Sequence, residues 1–494
     1  MWWLLNLAVA DPLPRPAAVG YLDSADGRMR CHYQRAEDLP LCEEALGWLA
    51  EAWTAQVTLL GFREPPPDRG IGGNDALDLY FTRDAGGAGS AWVDCVDGDP
   101  GCVDADPDNP VSDAASFIVV DPRTHALDLP HFIHHEFNHT LQYGTDYAEP
   151  FLSLWEGTAV FAERATDPSW PTLSGDFADY QATPWLSAIL QDGYYLWDHY
   201  EIWSNYEYGA VGWVWWMDER WGAGDGLLVA QIWEAVSAPT ASAEPDVLDA
   251  WEAVSGGWRS DMVAFAADRS TWGTAMGPEW QQFAGAAAYA AREASVTGDD
   301  AVTLEPAHPP YPLGTSYFDL TVVAGERFDL HLVPATGDAD AWALVAQLNG
   351  SVEELSLQQR WSAAGDGVMT LGAVYLGPSG LDADDPLSPS SFTLSITPVR
   401  HTGTDPQSKP ATDACGCATA SSSVFSVFSA LPFVLWRARR RRDQTPERPP
   451  LKPLPPAAPD RAQRASPPSR PDRPGSSSPP PGAFGAGRPK QHNR

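Results

Sequence analysis

Two kinds of hydrophobic periodicity divide the chain near residue 300. Before it, apolar residues recur at helical spacing over residues 128–144, 151–165, 210–220, 226–236 and 247–268, as they do in helices that bury one face. Two β-branched runs, ALDLYFT (76–82) and SFIVVDP (116–122), precede them and read as strands. After residue 300 the pattern shifts to partial alternation in TSYFDLTVVA, RFDLHLVPA, AWALVAQLNG, GVMTLGAVYLG and SSFTLSITPV, separated by Gly, Pro and Asp turns. Such runs predict an antiparallel β-sandwich of about 100 residues. The expected fold class is α+β, with a mixed helical body over 20–297 and the sandwich over 300–400.

The helix over 128–144 has Asp128 as N-cap candidate, Pro130 in its first turn and Gly144 as a C-cap glycine. It contains HFIHHEFNH, in which His135, Glu136 and His139 form HExxH. Residues four apart share a helix face, so two imidazoles converge on one zinc ion while Glu136 stands beside its open position. The five-residue pattern arises by chance in roughly one such sequence in a hundred, so context must decide. A zinc site that keeps a water needs a third protein ligand. Glu156, among the apolar positions of FLSLWEGTAVFAERA with Trp155, Gly157 and Ala159 beside it, is favoured. A solvated or Arg-paired Glu156 is the plainer alternative, and Asp146 in YGTDY is the rival ligand. Glu163, two turns beyond Glu156, is either a group that orients a ligating histidine or a surface charge. His131 lies eight residues from His139, about 12 Å of helix rise, too far to share an ion with it. His131 and His134 are therefore expected to be satisfied locally. A metzincin pattern is disfavoured, because Gln142 and Thr145 stand where it requires Gly and His.

HEFNH followed by WEGTAVFAE resembles the gluzincin metallopeptidases, in which HExxH is followed by a helix carrying a glutamate ligand, often as N-E-G-x-A-x-x-x-E. Here Trp155 replaces the Asn, and the spacing from His139 to Glu156 is slightly short. The resemblance covers about a third of the chain at motif level. It implies a mixed sheet lobe and a helical lobe around a zinc helix, zinc held by His135, His139 and Glu156, Glu136 as general base, and a peptide or protein substrate. Relatives often supply an oxyanion donor from the later lobe, which makes Tyr206 and Tyr208 in NYEYGA candidates, Tyr208 foremost; plain aromatic packing is the alternative. Relatives that trim N-termini carry a G-x-M-E-N segment, and none occurs here, so an endopeptidase is favoured.

Charge narrows the partners. The formal net charge is −35, and residues 1–436 hold 17 basic against 62 acidic side chains. So acidic a body does not bind nucleic acid by neutralising phosphates. Cys31 with Cys42 and Cys95 with Cys102 lie close in sequence without CxxC spacing, which predicts two local disulfides in an oxidising compartment. Asp94, Asp97, Asp99, Asp104, Asp106 and Asp108 form an oxygen-rich stretch, either a calcium loop or, the favoured reading, a solvated acidic loop. It is no EF-hand, having Asn109 and Ala115 where glycine and the bidentate glutamate belong.

Both ends read as export signals. MWWLLNLAVA (1–10) looks like a signal-peptide remnant. A linker spans 402–414, and 415–442 joins Cys415-Gly416-Cys417 to an apolar run and an arginine cluster, a marginal transmembrane segment. That segment resembles the MYXO-CTERM sorting signal of myxobacteria, which implies attachment at the cell surface. The Pro/Ser/Arg-rich stretch 443–494 is expected to be disordered. Together these features predict an exported zinc metallopeptidase, at the cell surface or outer membrane or extracellular. The alternative is a non-catalytic surface binding or adhesion protein with a degenerate peptidase domain.

Overall fold

The computed structural model describes residues 14–85, 88–94, 113–147, 149–169, 174–237, 245–272, 289–383 and 385–400. The expected signal segment, Cys95, Cys102, Asp97, Asp99, Asp104, Asp106 and Asp108, and everything from the linker onward lie outside the described residues.

The first sheet has the order β1 (Gly20–Asp23), β2 (Met29–Tyr33), β3 (Leu77–Phe81), β5 (Ser116–Val120), β4 (Gly89–Val93). Its centre is parallel, β2 on β3 on β5, and both edges are antiparallel. The central strands LDLYF and SFIVV are buried throughout, as strands covered on both faces must be. Leu77, Leu79 and Phe81 enter the main core against α1 (Leu39–Ala52) and α2 (Leu129–Tyr143). Asp78 and Tyr80 point the other way, where the guanidinium of Arg15 is held by Asp78, Asp94 and Asp68 over the ring of Phe117. Both carboxylate oxygens of Asp94 are thus engaged by Arg15. A disulfide between the buried Cys31 and Cys42 fastens β2 to α1. At the far edge, Gly89 of β4 lies against α2: a Cβ there would come within 3.0 Å of Glu136 Cγ. A side chain at this position would push strand and helix apart.

The helical lobe comprises α3 (Leu152–Thr166), α4 (Ser174–Ala182), α5 (Gly193–Tyr200), α6 (Tyr206–Gly209), α7 (Val211–Trp221), α8 (Leu227–Val236), α9 (Val247–Ser255) and α10 (Trp258–Ser270). Fully buried Trp213, Trp233 and Trp251 fill its centre. Three local expectations change. Asp128 precedes α2 but makes no side-chain cap bond, and Gly144 ends the helix at φ −74 rather than in the left-handed region. The helix expected over 247–268 is two, because Gly256 takes φ 76 and terminates α9.

Two further sheets complete the described residues. One has the order β11 (Ser351–Leu355), β10 (Trp342–Leu348), β13 (Gly367–Tyr375), β8 (Gly314–Val322), β6 (Ala294–Thr297). The other has β12 (Gln358–Ser362), β9 (Arg327–Pro334), β14 (Phe392–Pro398), β7 (Val302–Leu304). All pairs are antiparallel except β6 with β8. Alternate residues Phe318, Leu320, Leu344, Leu371, Leu330 and Leu394 build a core of their own. The opposite face of the first of these sheets joins the main core through Ala343, Val345 and Val374. Polar ties reinforce that contact: Tyr317 donates to Ala266 O (2.6 Å), and Arg259 reaches the carbonyls of Asp340, Leu376, Gly377 and Pro378. The fold is a mixed α+β architecture, and no helix among the described residues is long and apolar enough to cross a membrane.

Candidate metal centre

α2 packs against the edge strand β4 with almost every side chain buried, which leaves its histidines little water for solvation. α3 packs beside α2 and brings Glu156, 1 % exposed, to the face carrying the HExxH pair. His135 Nε2 lies 2.9 Å from Glu156 Oε2 and 3.1 Å from His139 Nε2. His139 Nε2 is 3.6 Å from the same carboxylate oxygen. The ligand atoms of these three residues all fall within 4.8 Å of one another, the one such group of three or more among the described residues.

The nitrogens facing inward are set from behind. Gln142 Nε2 points at Asn138 Oδ1 (2.8 Å), Thr158 Oγ1 (2.7 Å) and Trp155 O (3.0 Å), all acceptors. Its Oε1 must therefore be the atom 2.6 Å from His139 Nδ1, and that nitrogen carries the proton. In the neutral ring the lone pair of His139 is thereby left on Nε2, toward Glu156. Glu163 Oε2 stands 3.5 Å from His135 Nδ1 and orients the second imidazole in the same sense. Thr158 is itself held by the indole N–H of Trp233 (2.9 Å).

Electrostatics follow from burial. Desolvation alone would raise Glu156, but the charge of His139 and the hydrogen bond to His135 outweigh it and bring its pKa down to about 2. Desolvation would lower His135, yet its bonds to Glu156 and Glu163 raise it well above the usual imidazole range. Burial also raises Glu136, opposed by the two histidines and by the backbone N–H of Ala91 on β4. Two inward imidazole nitrogens and a carboxylate oxygen are a donor set that suits zinc.

The remaining sequence candidates fall around this centre. Tyr208 stacks on His135 with ring centroids 5.8 Å apart, and burial followed by the charge of Glu156 raises its phenol well above the usual range. Tyr206 does not reach the cluster: it is buried and donates to Ser187 O (3.0 Å). Asp146 is buried but is not a member of the cluster. His131 stands 3.9 Å from both Glu163 and Asp167, outside the ligand group.

No family model matches the chain, and no curated protein is similar to it. Among solved structures, the periplasmic inhibitor of g-type lysozyme PliG from Salmonella Typhimurium is 8% identical, covering 22% of this chain and 100% of its own, with a TM-score of 0.17. PliG from Aeromonas hydrophila is 12% identical over the same shares, also at 0.17. The pre-peptidase C-terminal domain of a Bacillus anthracis collagenase is 13% identical, covering 22% of this chain and 97% of its own, at 0.14. Likenesses this slight carry no argument about fold or chemistry. Function must be read from the side chains.

Two residues at the centre escaped the reading of the sequence. Gln142 is visible in principle, three residues after His139 on the same helix. Glu207 is not, because its role is tertiary. It is 5 % exposed, accepts a hydrogen bond from the backbone N–H of Gly193 (2.8 Å) and ties the start of α5 to α6, next to Tyr208. Burial, with Glu156 and Asp192 nearby, pushes its pKa up to about 8.

Replacing Gln142 by Leu releases the His139 tautomer, and zinc affinity measured by chelator competition is expected to fall about 10–100-fold; unchanged affinity would contradict the assignment. For Glu207, the folded state holds the proton more tightly than the unfolded chain. Its contribution to stability is thus complete below the ordinary value of 4.5 and is lost as pH rises through about 8. Wild type should lose stability across that window relative to Glu207→Gln in urea unfolding, whereas parallel pH curves would show that Glu207 titrates normally.

Proposed function

We propose that the protein is a zinc-dependent metallopeptidase cleaving internal peptide bonds. The observation that carries this reading is the convergence of His135 Nε2, His139 Nε2 and Glu156 Oε2, with both imidazoles oriented from behind. These three residues would hold the zinc, which when bound polarises a carbonyl and lowers the pKa of a water. A mixed sheet against α2 and a helical lobe contributing Glu156 agree with the gluzincin resemblance.

The side chains divide the remaining work. Glu136, buried beside β4 and adjacent to His135 on α2, takes a proton from the attacking water and returns it to the leaving amine, and a carboxylate raised by burial suits both transfers. Tyr208, kept as a neutral phenol, donates toward the oxyanion of the tetrahedral species. β4 pairs only with β5 among the described strands, so its outer edge offers backbone groups to an extended peptide beside Glu136. An edge of this kind accepts a chain in mid-sequence, consistent with endopeptidase action. The disulfide between Cys31 and Cys42 supports an exported protein.

The test is zinc content and casein hydrolysis for wild type, Glu136→Gln and Tyr208→Phe. One zinc per chain is expected in all three. Activity should fall about 10²–10⁴-fold in Glu136→Gln, and kcat about 10²–10³-fold with KM nearly unchanged in Tyr208→Phe. A metal-free wild type, or equal hydrolysis by wild type and Glu136→Gln, would overturn the peptidase reading.

A further inference from the structure

One stretch of the helical lobe is short of basic side chains. Between Arg164 and Arg220 the chain has nine acidic residues and no lysine or arginine. Within that stretch, α5 and the turn after it expose three large apolar side chains: Trp197 (49%), Ile202 (39%) and Trp203 (55%). The two indoles stand edge to face with centroids 6.1 Å apart. Asp198 and Glu201, both exposed, are interleaved with them. The turn has a defined shape, because Glu201 adopts the left-handed conformation (φ 56) and the N–H of Ile202 bonds back to Leu196 O.

The same helix borders the metal centre. Its first residue, Gly193, is bonded to Glu207, next to the tyrosine that stacks on His135. Its second, Tyr194, is near enough to Glu207 and Glu156 for their charge to raise its phenol, after burial, to about 12. Trp197 thus lies on the helix whose first turn borders the metal centre, and Trp203 packs against it.

We propose that Trp197, Ile202 and Trp203, with Asp198 and Glu201, form a docking face for a basic segment of the polypeptide substrate, which makes lysine- and arginine-rich chains the preferred substrate class. The assignment rests on the peptidase reading and specifies its substrate. Indole faces attract ammonium and guanidinium groups, and the aliphatic stems of Lys and Arg cover apolar surface while their heads reach the carboxylates. Aromatic anchors held in a fixed turn lose little freedom on binding. Exposed Asp198 and Glu201, on a chain of formal net charge −35, favour the approach of cationic chains to this patch. They also repel anionic lipid headgroups, which disfavours a membrane as the occupant.

Binding is tested on the zinc-loaded full chain carrying Glu136→Gln, so that peptides survive the measurement. Fluorescence anisotropy compares three labelled peptides of equal length, alternating Ala with Lys, Gln or Glu. The Lys peptide should bind at least about tenfold more tightly than the Gln peptide, the Glu peptide should not bind, and the preference should shrink as salt rises from about 0.05 to 0.5 M. Trp197→Ala/Trp203→Ala should weaken Lys-peptide binding about tenfold or more while circular dichroism melting stays unchanged. Asp198→Asn/Glu201→Gln, which keeps the indoles, should remove most of the Lys-over-Gln preference. Equal affinity for the Lys and Gln peptides, binding indifferent to both double variants, or indole-dependent binding to neutral phosphatidylcholine vesicles in place of peptide would overturn the proposal. Since no hydrolysis is read, failure here is distinct from failure of the casein experiment.

Discussion

A carboxylate that is 1 % exposed cannot remain charged without a partner, and Glu156 sets the arrangement of α2 and α3 around it for that reason. The helix that carries it is packed among tryptophans, so water cannot supply the compensation. His135 and His139 supply it, and they in turn must be oriented by Gln142 and Glu163. That chain of requirements forces α2 and α3 into a single register. It also accounts for the small residues nearby: Gly157 lets α3 approach the backbone at Ala210 and Val211, where a Cβ would come within 3.1 Å. Tyr208 follows immediately before that contact and is delivered against His135.

The same constraint recurs with different solutions. On the outer face of the first sheet, Asp78 is fully buried and is compensated by Arg15 and by His32 Nε2 at 2.8 Å. Glu207 forms no ion pair among the described residues, and burial holds the proton instead. A chain with so large an acidic excess has few basic side chains to spend on its interior. A divalent cation between His135, His139 and Glu156 would relieve the densest part of that charge.

How much of this was legible in sequence depends on whether the determinant is local. HExxH and Glu156 could be read because helical spacing converts directly into a shared face, and the outcome needs only that two helices pack. The buried strands at 77–81 and 116–120 declared themselves by β-branched and aromatic runs, as did most sandwich strands. The break at Gly256 was available in the Ser255-Gly256-Gly257 sequence but was masked by apolar periodicity on both sides. Glu207 and the Arg15 cluster were out of reach, since each joins residues far apart in sequence whose meeting depends on the finished fold. Gln142 lies between these cases: its position on the helix was visible, but its partners on α3 were not.

The central claim is that two imidazole nitrogens and one carboxylate oxygen hold a single zinc ion. X-ray absorption at the zinc edge of the purified protein measures that donor set directly. The account predicts four- or five-coordinate zinc with two imidazoles and only nitrogen or oxygen neighbours at about 2.0–2.2 Å, and loss of the bound metal in His135→Ala. Sulfur in the coordination sphere, a single imidazole, or zinc retained unchanged in His135→Ala would contradict it.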